Sequence, residues 1–389
     1  MYDYKETMDG LLRQEVAENR VKGASALVLH KGREIYFNAF GMADVERGIL
    51  MRRDTIIHLY SMSKPVTAAA VMILAERGEL DLWDPVSRYL PCFRNQTVWS
   101  EGAEVPAERE VTIYDLLNMT SGITYPDEMT EPGRRMKTVV EGLVARREAG
   151  ERVDTRAYVQ GIASVPLAFQ PGEHWMYGFS ADVLGGIVEA VSGTSYGEFL
   201  KKELFTPLEM KDTGFFVPAE KQGRFACSYE VAEDGRFFPH KGSHLGEYYG
   251  EDVAFESGGA GLVSTLDDYA HFASMLVHKG QYGKKRILGR RTVEFMAQDH
   301  LTERQAADLN WDSLRGYGYG CLMRVLRDGR EAGSNAALGE FGWDGWTGNY
   351  VSMDFQEDLV FLYFIQRCGA GMTPLVRKLR MATYGALEA

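Results

Sequence analysis

The sequence predicts an α/β (α+β) fold in which strands near both ends of the chain form one antiparallel sheet. Terminal helices flank this sheet, and a mostly helical region is inserted between the two groups of strands. Strand-like runs with turn signals occur near both ends of the chain, whereas apolar residues recur at helical spacing through the middle. With 389 residues, 45% of them hydrophobic and 25% charged, the chain can bury a sizeable core.

The predicted strands are paired by short turns. Residues 24–40 form a candidate hairpin around the turn His30–Arg33. In the C-terminal third, Asp328-Gly329 is a hairpin turn signal. Tyr350–Phe355 and Leu359–Ile365 are strand-like and are separated by three polar residues.

The predicted helices have recognisable starts and ends. Val66–Arg77 is strongly apolar, Thr112 opens a capping-box pattern, and Gly193 follows a periodic segment as its C-cap. Thr373-Pro374 is typical of an N-cap followed by proline at the first helical position. The segment that Gly193 caps is residues 181–191, and residues 265–278 form a further helix.

Charge and hydropathy exclude several function classes. The net charge of −12 argues against nucleic acid and gives no reason to expect docking on anionic lipid. The polar first twenty residues do not resemble a signal peptide, and the longest nearly apolar run, Val66–Ala75, is half of a membrane span. We therefore expect a cytoplasmic protein with no membrane or nucleic-acid partner. Four scattered cysteines predict free thiols, and no spacing predicts a metal or another cofactor.

Ser61-Met62-Ser63-Lys64 is an S-x-x-K motif directly before the apolar helix. Residues three apart share a helix face, so the lysine amine can reach the serine hydroxyl. Burial against apolar neighbours would lower the pKa of the amine and make it a competent base for an otherwise weak nucleophile. Pro65 fits only the first turn of a helix, which places Ser61 near the helix N-terminus.

The motif alone is weakly specific, but the blocks around it resemble class C β-lactamases and penicillin-binding proteins. The chain carries blocks of sequence that are similar to those of the family and run in the same order. They are residues 58–68, 79–91, 111–122, 171–177 and 257–269. The resemblance covers about residues 20 to 385 and implies a β-lactamase/transpeptidase-like fold. It also implies a single catalytic domain over 1–389, with an α/β subdomain of about 1–60 and 285–389 and a helical subdomain of about 61–284.

The resemblance also implies the site residues. The family's second motif, Tyr-x-Asn, falls on Tyr177-Gly178-Phe179, so Tyr177 would share the Ser61 proton with Lys64, as tyrosinate or as a relay. The third motif falls on Trp343-Asp344-Gly345, within one residue either way, and is similar to the Trp-Gly-Gly variant of the esterase-type members, the family VIII carboxylesterases. By this alignment the backbone N–H groups of Ser61 and Trp346 form the oxyanion hole.

Two replacements bear on the substrate. The family's third-motif lysine and second-motif asparagine, which contact β-lactams, are replaced by Trp343 and Phe179. Lost hydrogen bonds cost about 1–3 kcal/mol each, so small neutral acyl esters are favoured, with weak β-lactamase activity as a side reaction. Trp343, Asp344, Gly345 and Phe179 are candidate substrate contacts, and Tyr125 is either another contact or a surface aromatic.

Several alternatives remain open at this stage. The same residues would suit a β-lactamase, a D-amino-peptide or amide hydrolase, or an acyltransferase, and a related fold could serve as a binding protein without catalysis. The oligomeric state is not indicated.

Three further patterns favour structural interpretations. Gly193-Thr-Ser195-Tyr-Gly197 matches G-x-S-x-G, but a helix precedes it where a nucleophile elbow needs a strand. His240 and His244 are four residues apart but separated by Gly242, which predicts a solvated loop and no metal site. Gly258–Gly261 lacks the context of a phosphate loop and predicts a tight turn under the cleft. Residues 217–257 are expected to shape the pocket.

Overall fold

The computed structural model describes residues 3–242 and 250–387. Its strands are β1 (Gly23–His30), β2 (Arg33–Asp44), β3 (Ile49–Leu50), β4 (Ile57–His58), β5 (Thr97–Ser100), β6 (Ala103–Pro106), β7 (Tyr229–Val231), β8 (Phe237–Pro239), β9 (Val263–Ser264), β10 (Gln281–Tyr282), β11 (Lys285–Arg286), β12 (Tyr317–Gly320), β13 (Met323–Leu326), β14 (Phe341–Asp344), β15 (Tyr350–Asp354) and β16 (Leu359–Ile365). Its α-helices are α1 (Tyr4–Ala17), α2 (Ser63–Glu76), α3 (Ile113–Leu117), α4 (Glu131–Glu148), α5 (Thr155–Ala163), α6 (Ser180–Ser192), α7 (Tyr196–Leu200), α8 (Leu266–Val277), α9 (Arg290–Met296), α10 (Glu303–Ala306), α11 (Gly329–Ala332) and α12 (Pro374–Gly385).

The main sheet joins the two ends of the chain. Its strand order is β12-β13-β14-β15-β16-β1-β2-β3, and each neighbouring pair is antiparallel. The central pairing sets Ala26 of β1 opposite Tyr363 of β16. The predicted antiparallel sheet is therefore confirmed.

The two faces of the sheet bury different sets of residues, because side chains alternate along each strand. One face packs on α1 and α12 through residues such as Leu12 and Leu379. The other face packs on the larger core that contains α2, α6 and α8. A further pairing, β4 with β9, connects Ile57 to Ser264 and brings the loop before β9 against the start of α2.

Most of the predicted elements are present. The hairpin turns at Lys31-Gly32, where both residues have positive φ as a type I′ turn requires. The 112–115 capping box exists, with both reciprocal hydrogen bonds formed between Thr112 and Asp115. Gly193 ends α6 at φ 71°. Pro374 begins α12 directly after Thr373.

The hairpin turn predicted at Asp328-Gly329 is wrong. The connection from β13 to β14 is longer and contains α11, and Asp328 is the N-cap of that helix. Its carboxylate accepts hydrogen bonds from the backbone N–H groups of Arg330 and Glu331. The Asp-Gly pair thus starts a short helix, because an aspartate side chain satisfies helix N–H groups as readily as it supports a turn.

Three other features bear on the sequence predictions. Among the described helices, none combines the length and apolar character needed to cross a bilayer. The four cysteines Cys92, Cys227, Cys321 and Cys368 are free thiols. The central region also contains the small hairpins β5–β6 and β7–β8. The subdomain boundaries remain a prediction from the sequence.

Candidate active site

The segment before α2 presents Ser61 on a tight turn. Tyr60–Met62 forms a single 3₁₀ turn that leads into the helix, and Ser61 keeps partial solvent exposure. Tyr60 has φ 47°, a left-handed conformation that is uncommon for a bulky residue and often marks functional sites. Its ring is held edge-on to Trp346, with centroids 5.4 Å apart.

Lys64 is completely buried and has three hydrogen-bond partners, one on the same turn and two from distant segments. Its Nζ donates to Ser61 Oγ at 3.1 Å, to the Tyr125 hydroxyl at 3.1 Å and to the Gly259 carbonyl at 2.9 Å. Burial lowers the pKa of Lys64 to about 7, although the negative charges of Asp182 and Asp344 act in the opposite direction. A substantial neutral fraction, with a lone pair available, is therefore present at neutral pH.

Tyr177 lies beside the same amine, with Lys64 Nζ 4.6 Å from its ring centroid. Trp343 Nε1 donates a hydrogen bond to the Tyr177 hydroxyl at 3.0 Å. Burial raises the pKa of Tyr177, and the opposing interactions with Ser61 and Trp343 do not offset it. Of the two roles predicted for Tyr177, this environment favours the protonated relay over the tyrosinate.

Tyr125 contacts the lysine directly. Its hydroxyl lies on Lys64, and its ring packs edge-on against Phe179 at 4.5 Å and Tyr177 at 5.6 Å between centroids. Burial raises the pKa of the phenol well above its ordinary value. Tyr125 keeps partial solvent exposure, and its hydroxyl contacts the amine, so of its two alternatives the structure favours a place within the site.

The aromatic residues that replace the family's polar groups are mostly core. Phe179 is 5% exposed and Trp343 is 2% exposed, so each offers little surface to a ligand. Phe179 contacts Tyr125 and Tyr158, whereas Trp343 contacts Tyr177. Both therefore act on the site mainly through the tyrosines that they hold.

The end of β14 fits closely against the nucleophile segment. A Cβ atom at Gly345 would lie 2.6 Å from the Leu59 carbonyl oxygen, so a larger residue would push the two segments apart. Asn349 ties them together from the other side, because its Nδ2 donates to the His58 carbonyl at 2.7 Å. Trp346 follows Gly345 and is 42% exposed.

A turn that carries the Gly259 carbonyl lies beneath the amine. The predicted tight turn at 258–261 is present, with the Gly261 N–H donating to the Ser257 carbonyl at 3.0 Å. Asp182 of α6 holds this turn by accepting hydrogen bonds from the Ser257 hydroxyl and the Gly259 N–H. Sequence reasoning missed the roles of Asp182, Gly259 and Asn349, because each depends on a contact between distant segments.

The other patterns have structural explanations. Ser195 is the N-cap of α7 in a capping box with Glu198, so the G-x-S-x-G match is a helix start. His240 Nδ1 lies 2.7 Å from Glu230 Oε1, whereas His244 is outside the described residues, as is part of the predicted pocket segment 217–257. In the part of the chain that the structure describes, no group of three or more His, Cys, Asp or Glu side chains could hold a metal ion.

The fold and the site define a serine hydrolase of the β-lactamase and penicillin-binding-protein type. The chain belongs to the β-lactamase family, because the family model described as Beta-lactamase matches residues 8–383. Esterase EstB of Burkholderia gladioli is 32% identical over 402 residues, which covers 97% of this chain and 94% of that protein. Protein Rv1367c of Mycobacterium tuberculosis (strain ATCC 25618 / H37Rv) is 32% identical over 367 residues, with 92% and 88% covered.

Solved structures show the same architecture. EstCE1, described as a hydrolase with promiscuous acyltransferase activity, is similar with a TM-score of 0.82 and 26% identity, and 98% of each chain is covered. Simvastatin synthase (LovD) from Aspergillus terreus has a TM-score of 0.83 at 22% identity over 100% of both chains, which shows the fold alone.

Proposed function

We propose that this protein is a serine esterase that hydrolyses small acyl esters through an acyl-enzyme on Ser61. One observation carries the proposal: Lys64 Nζ lies 3.1 Å from Ser61 Oγ, and its pKa is lowered to about 7. A base needs a pKa near the working pH and hydrogen-bond reach of the proton that it takes, and Lys64 meets both conditions.

The proposed acylation step follows from these protonation states. Neutral Lys64 takes the Ser61 proton as Oγ bonds to the ester carbonyl carbon, which gives a tetrahedral oxyanion. The Tyr177 phenol then donates its proton to the departing alkoxide and is reprotonated by the Lys64 ammonium, while the carbon–oxygen bond to the alcohol breaks. Water repeats the sequence on the acyl-enzyme: it gives one proton to Lys64, and Ser61 leaves with a proton restored to Oγ.

The proposed oxyanion hole consists of the backbone N–H groups of Ser61 and Trp346. Neither group has a hydrogen-bond acceptor within residues 3–242 and 250–387, so both are available to a ligand. The close approach of Gly345 to Leu59 keeps their two segments adjacent. Loss of one such donor costs about 3 kcal/mol of transition-state stabilisation.

The lining of the site supports esters over β-lactams. Trp343 supplies no positive charge for a substrate carboxylate, and Asp344 places a negative charge in the same motif. Phe179 supplies no side-chain amide. The likeness to Esterase EstB agrees with this preference.

The test is turnover and labelling of Ser61→Ala beside wild type. A screen of short-chain p-nitrophenyl esters and a chromogenic cephalosporin should give faster ester turnover, and Ser61→Ala should lower it by on the order of 10⁴-fold and abolish fluorophosphonate labelling. Ser195→Ala is the matched control, because it changes the other motif serine and should keep both signals. Labelling that persists in Ser61→Ala would contradict the assignment, and a preference for the cephalosporin would favour the β-lactamase alternative.

Acyl transfer to an alcohol is the second candidate, favoured by the likeness to EstCE1 at 26% identity. It uses the same acyl-enzyme, with an alcohol in place of water. Product analysis with an added short-chain alcohol separates the two reactions: a new ester indicates transfer, and free acid alone indicates hydrolysis.

A further inference from the structure

Asp182 is a buried carboxylate that the proposed mechanism does not use. It lies in the first turn of α6 and is 2% exposed. One of its oxygens, Oδ1, accepts hydrogen bonds from the Ser257 hydroxyl and from the Gly259 N–H, the latter at 3.2 Å. The carbonyl of the same Gly259 accepts a hydrogen bond from Lys64 Nζ at 2.9 Å. Asp182 is therefore linked to the base through a single residue.

The turn that contains Gly259 packs directly on the start of α6. A Cβ atom at Gly258 would lie 2.2 Å from the Ala181 carbonyl oxygen, and a Cβ atom at Gly259 would lie 2.5 Å from Asp182 Oδ2. Only the absence of side chains permits so close an approach. Van der Waals contact thus limits how far the turn can move toward α6, and the hydrogen bonds to Asp182 limit how far it can move away.

The place of the Gly259 carbonyl affects the direction of the lone pair on neutral Lys64. A neutral amine has two N–H groups and one lone pair, and Nζ has three neighbours: Ser61 Oγ, the Tyr125 hydroxyl and the Gly259 carbonyl. A carbonyl oxygen can only accept, so one N–H is committed to Gly259. With the second N–H donated to Tyr125, the lone pair is directed at Ser61. Without the carbonyl, the amine would be free to turn its lone pair away from both hydroxyls.

The charge of Asp182 and its hydrogen bonds have opposite consequences for catalysis. Burial lowers the pKa of Lys64 to about 7, and the negative charge of Asp182 acts in the opposite direction. The charge therefore opposes formation of the free base. The hydrogen bonds of Asp182, by contrast, keep an acceptor in contact with the amine. A favourable contribution of Asp182 to catalysis would thus come from its geometry.

We propose that Asp182 is a positioning residue that holds the Gly259 carbonyl against Lys64 and thereby directs the lone pair of the neutral amine at Ser61. The inference rests on the proposed function, in which Lys64 takes the Ser61 proton, and adds the group that orients this base. Asp182 itself takes no proton in the reaction.

The experiment uses two substitutions that separate geometry from charge. Asp182→Asn keeps an oxygen that can accept both hydrogen bonds, whereas Asp182→Leu has the same branching at Cγ but no acceptor. For a p-nitrophenyl ester at about pH 8, kcat should stay within about threefold of wild type in Asp182→Asn and fall by about 30-fold in Asp182→Leu, because displacement of a catalytic group has a cost of this order. KM should hardly change. Equal losses in the two variants would show that charge matters rather than geometry, and would overturn the inference.

The pH profile gives a readout that a purely structural role would not move. Asp182→Asn removes a charge that raises the pKa of Lys64, so the acid limb of kcat/KM should move to lower pH. In Asp182→Leu the plateau above this limb should itself be lower, since a misdirected amine is a poorer base even when it is neutral. The amplitude of fluorophosphonate labelling counts the active sites, so each rate is expressed per folded molecule. A plateau equal to that of wild type in Asp182→Leu would contradict the proposal.

Asp268 supplies the matched control. It is 6% exposed, and its carboxylate also accepts hydrogen bonds from one backbone N–H, that of Asp212, and from one hydroxyl, that of Thr213. Asp268→Asn and Asp268→Leu should leave kcat per active site unchanged. If Asp268→Leu lowered kcat as much as Asp182→Leu, the loss would reflect general destabilisation, and the inference would be wrong.

A milder variant tests the same contact if Asp182→Leu does not fold. Ser257→Ala removes one of the two hydrogen bonds to Asp182 and should lower kcat by about threefold. An unchanged kcat in Ser257→Ala, with Asp182→Leu unfolded, would count against the positioning role.

The rate of fluorophosphonate labelling separates this inference from the esterase proposal. Labelling needs no ester: Ser61 Oγ bonds to phosphorus, fluoride leaves, and the Ser61 proton passes to Lys64. If no ester is hydrolysed but the labelling rate constant falls by about 30-fold in Asp182→Leu and not in Asp268→Leu, the esterase proposal fails and the positioning role stands. If esters are hydrolysed and all variants are labelled at one rate, the positioning role alone fails.

Discussion

Two clusters of buried charged groups lie on opposite faces of the main sheet and differ in their protonation. On the face toward α12, Glu340 is fully buried between Arg324 and Arg380, with oxygen–nitrogen distances of 3.1 and 3.0 Å. Although burial opposes ionisation, these two guanidinium groups lower the pKa of Glu340 below its ordinary value. This cluster stays charged.

On the other face, Lys64 is equally buried, but its hydrogen-bond partners are two hydroxyls and a carbonyl. The carboxylates of Asp182 and Asp344 raise its pKa without offsetting desolvation, so the pKa falls to about 7. The difference between the clusters shows that burial alone does not neutralise an ionisable group. A counter-ion in direct contact preserves the charge, and neutral partners leave a group that can exchange protons.

The largest expected effect is the loss of catalysis when Lys64, whose hydrogen-bond partners are neutral, is replaced. Lys64→Met removes the base but keeps an unbranched side chain, so kcat/KM for a p-nitrophenyl ester should fall by about 10³-fold. The free energy of unfolding should change by only about 1 kcal/mol, because no counter-ion is in direct contact with the amine. Steady-state kinetics and urea unfolding measure the two quantities. Lys378→Met, on the exposed face of α12, should leave both unchanged, and an equal loss of activity in that control would contradict the role of Lys64.

The charged cluster should respond in the opposite way. Glu340→Gln leaves two buried guanidinium groups without their counter-ion, so the free energy of unfolding should fall by about 3 kcal/mol or more. Glu331→Gln is the exposed control, with an expected change of less than about 0.5 kcal/mol. Urea unfolding of both variants makes the comparison. If Glu340→Gln were as stable as its control, the contrast between the two clusters would be wrong.

The smallest expected effect is a shift in the pH profile. Because protonated Lys64 has no lone pair, kcat/KM should fall about tenfold for each pH unit below about pH 7 and should level off at higher pH. The negative charges of Asp182 and Asp344 favour the ammonium form, so Asp344→Asn should move this limb to lower pH. Glu6→Gln, the control, removes one negative charge on α1 and should leave this limb of the pH profile in place. A limb that stayed in place in Asp344→Asn would show that the carboxylate does not act on the amine, and a limb that moved to higher pH would contradict the sign of the effect.

Local signals explain how much of the fold the sequence predicted. The hairpin, the strands at 350–365 and the helix caps depend on neighbouring residues, and nearly all of them are present. Asp328-Gly329 misled the prediction because its two residues suit a turn and a helix start equally. That strands from both chain ends share one sheet was predicted from their positions along the sequence, but the strand order, which pairs β1 with β16, was not predicted, because no local pattern encodes it.

The residues of the candidate active site were likewise predictable where they depend on local sequence. Ser61 and Lys64 are three residues apart on one turn, and Tyr177 lay in a recognised motif, so their approach could be anticipated. The contacts of Tyr125 and Gly259 with the amine could not, because they depend on how loops 61 and 195 residues away fold back. The burial of Phe179 and Trp343 was also missed, since a motif position indicates proximity to the site and not exposure to a ligand.

The three hydrogen-bond partners of Lys64 make enzymatic activity sensitive to partial unfolding. Ser61, Tyr125 and Gly259 belong to separate segments, and withdrawal of any one of them would admit water to the amine. Hydrated lysine returns toward a pKa of about 10.4 and is protonated at neutral pH. Enzymatic activity should therefore disappear at lower denaturant concentrations than helical circular dichroism, which makes turnover a sensitive gauge of tertiary packing.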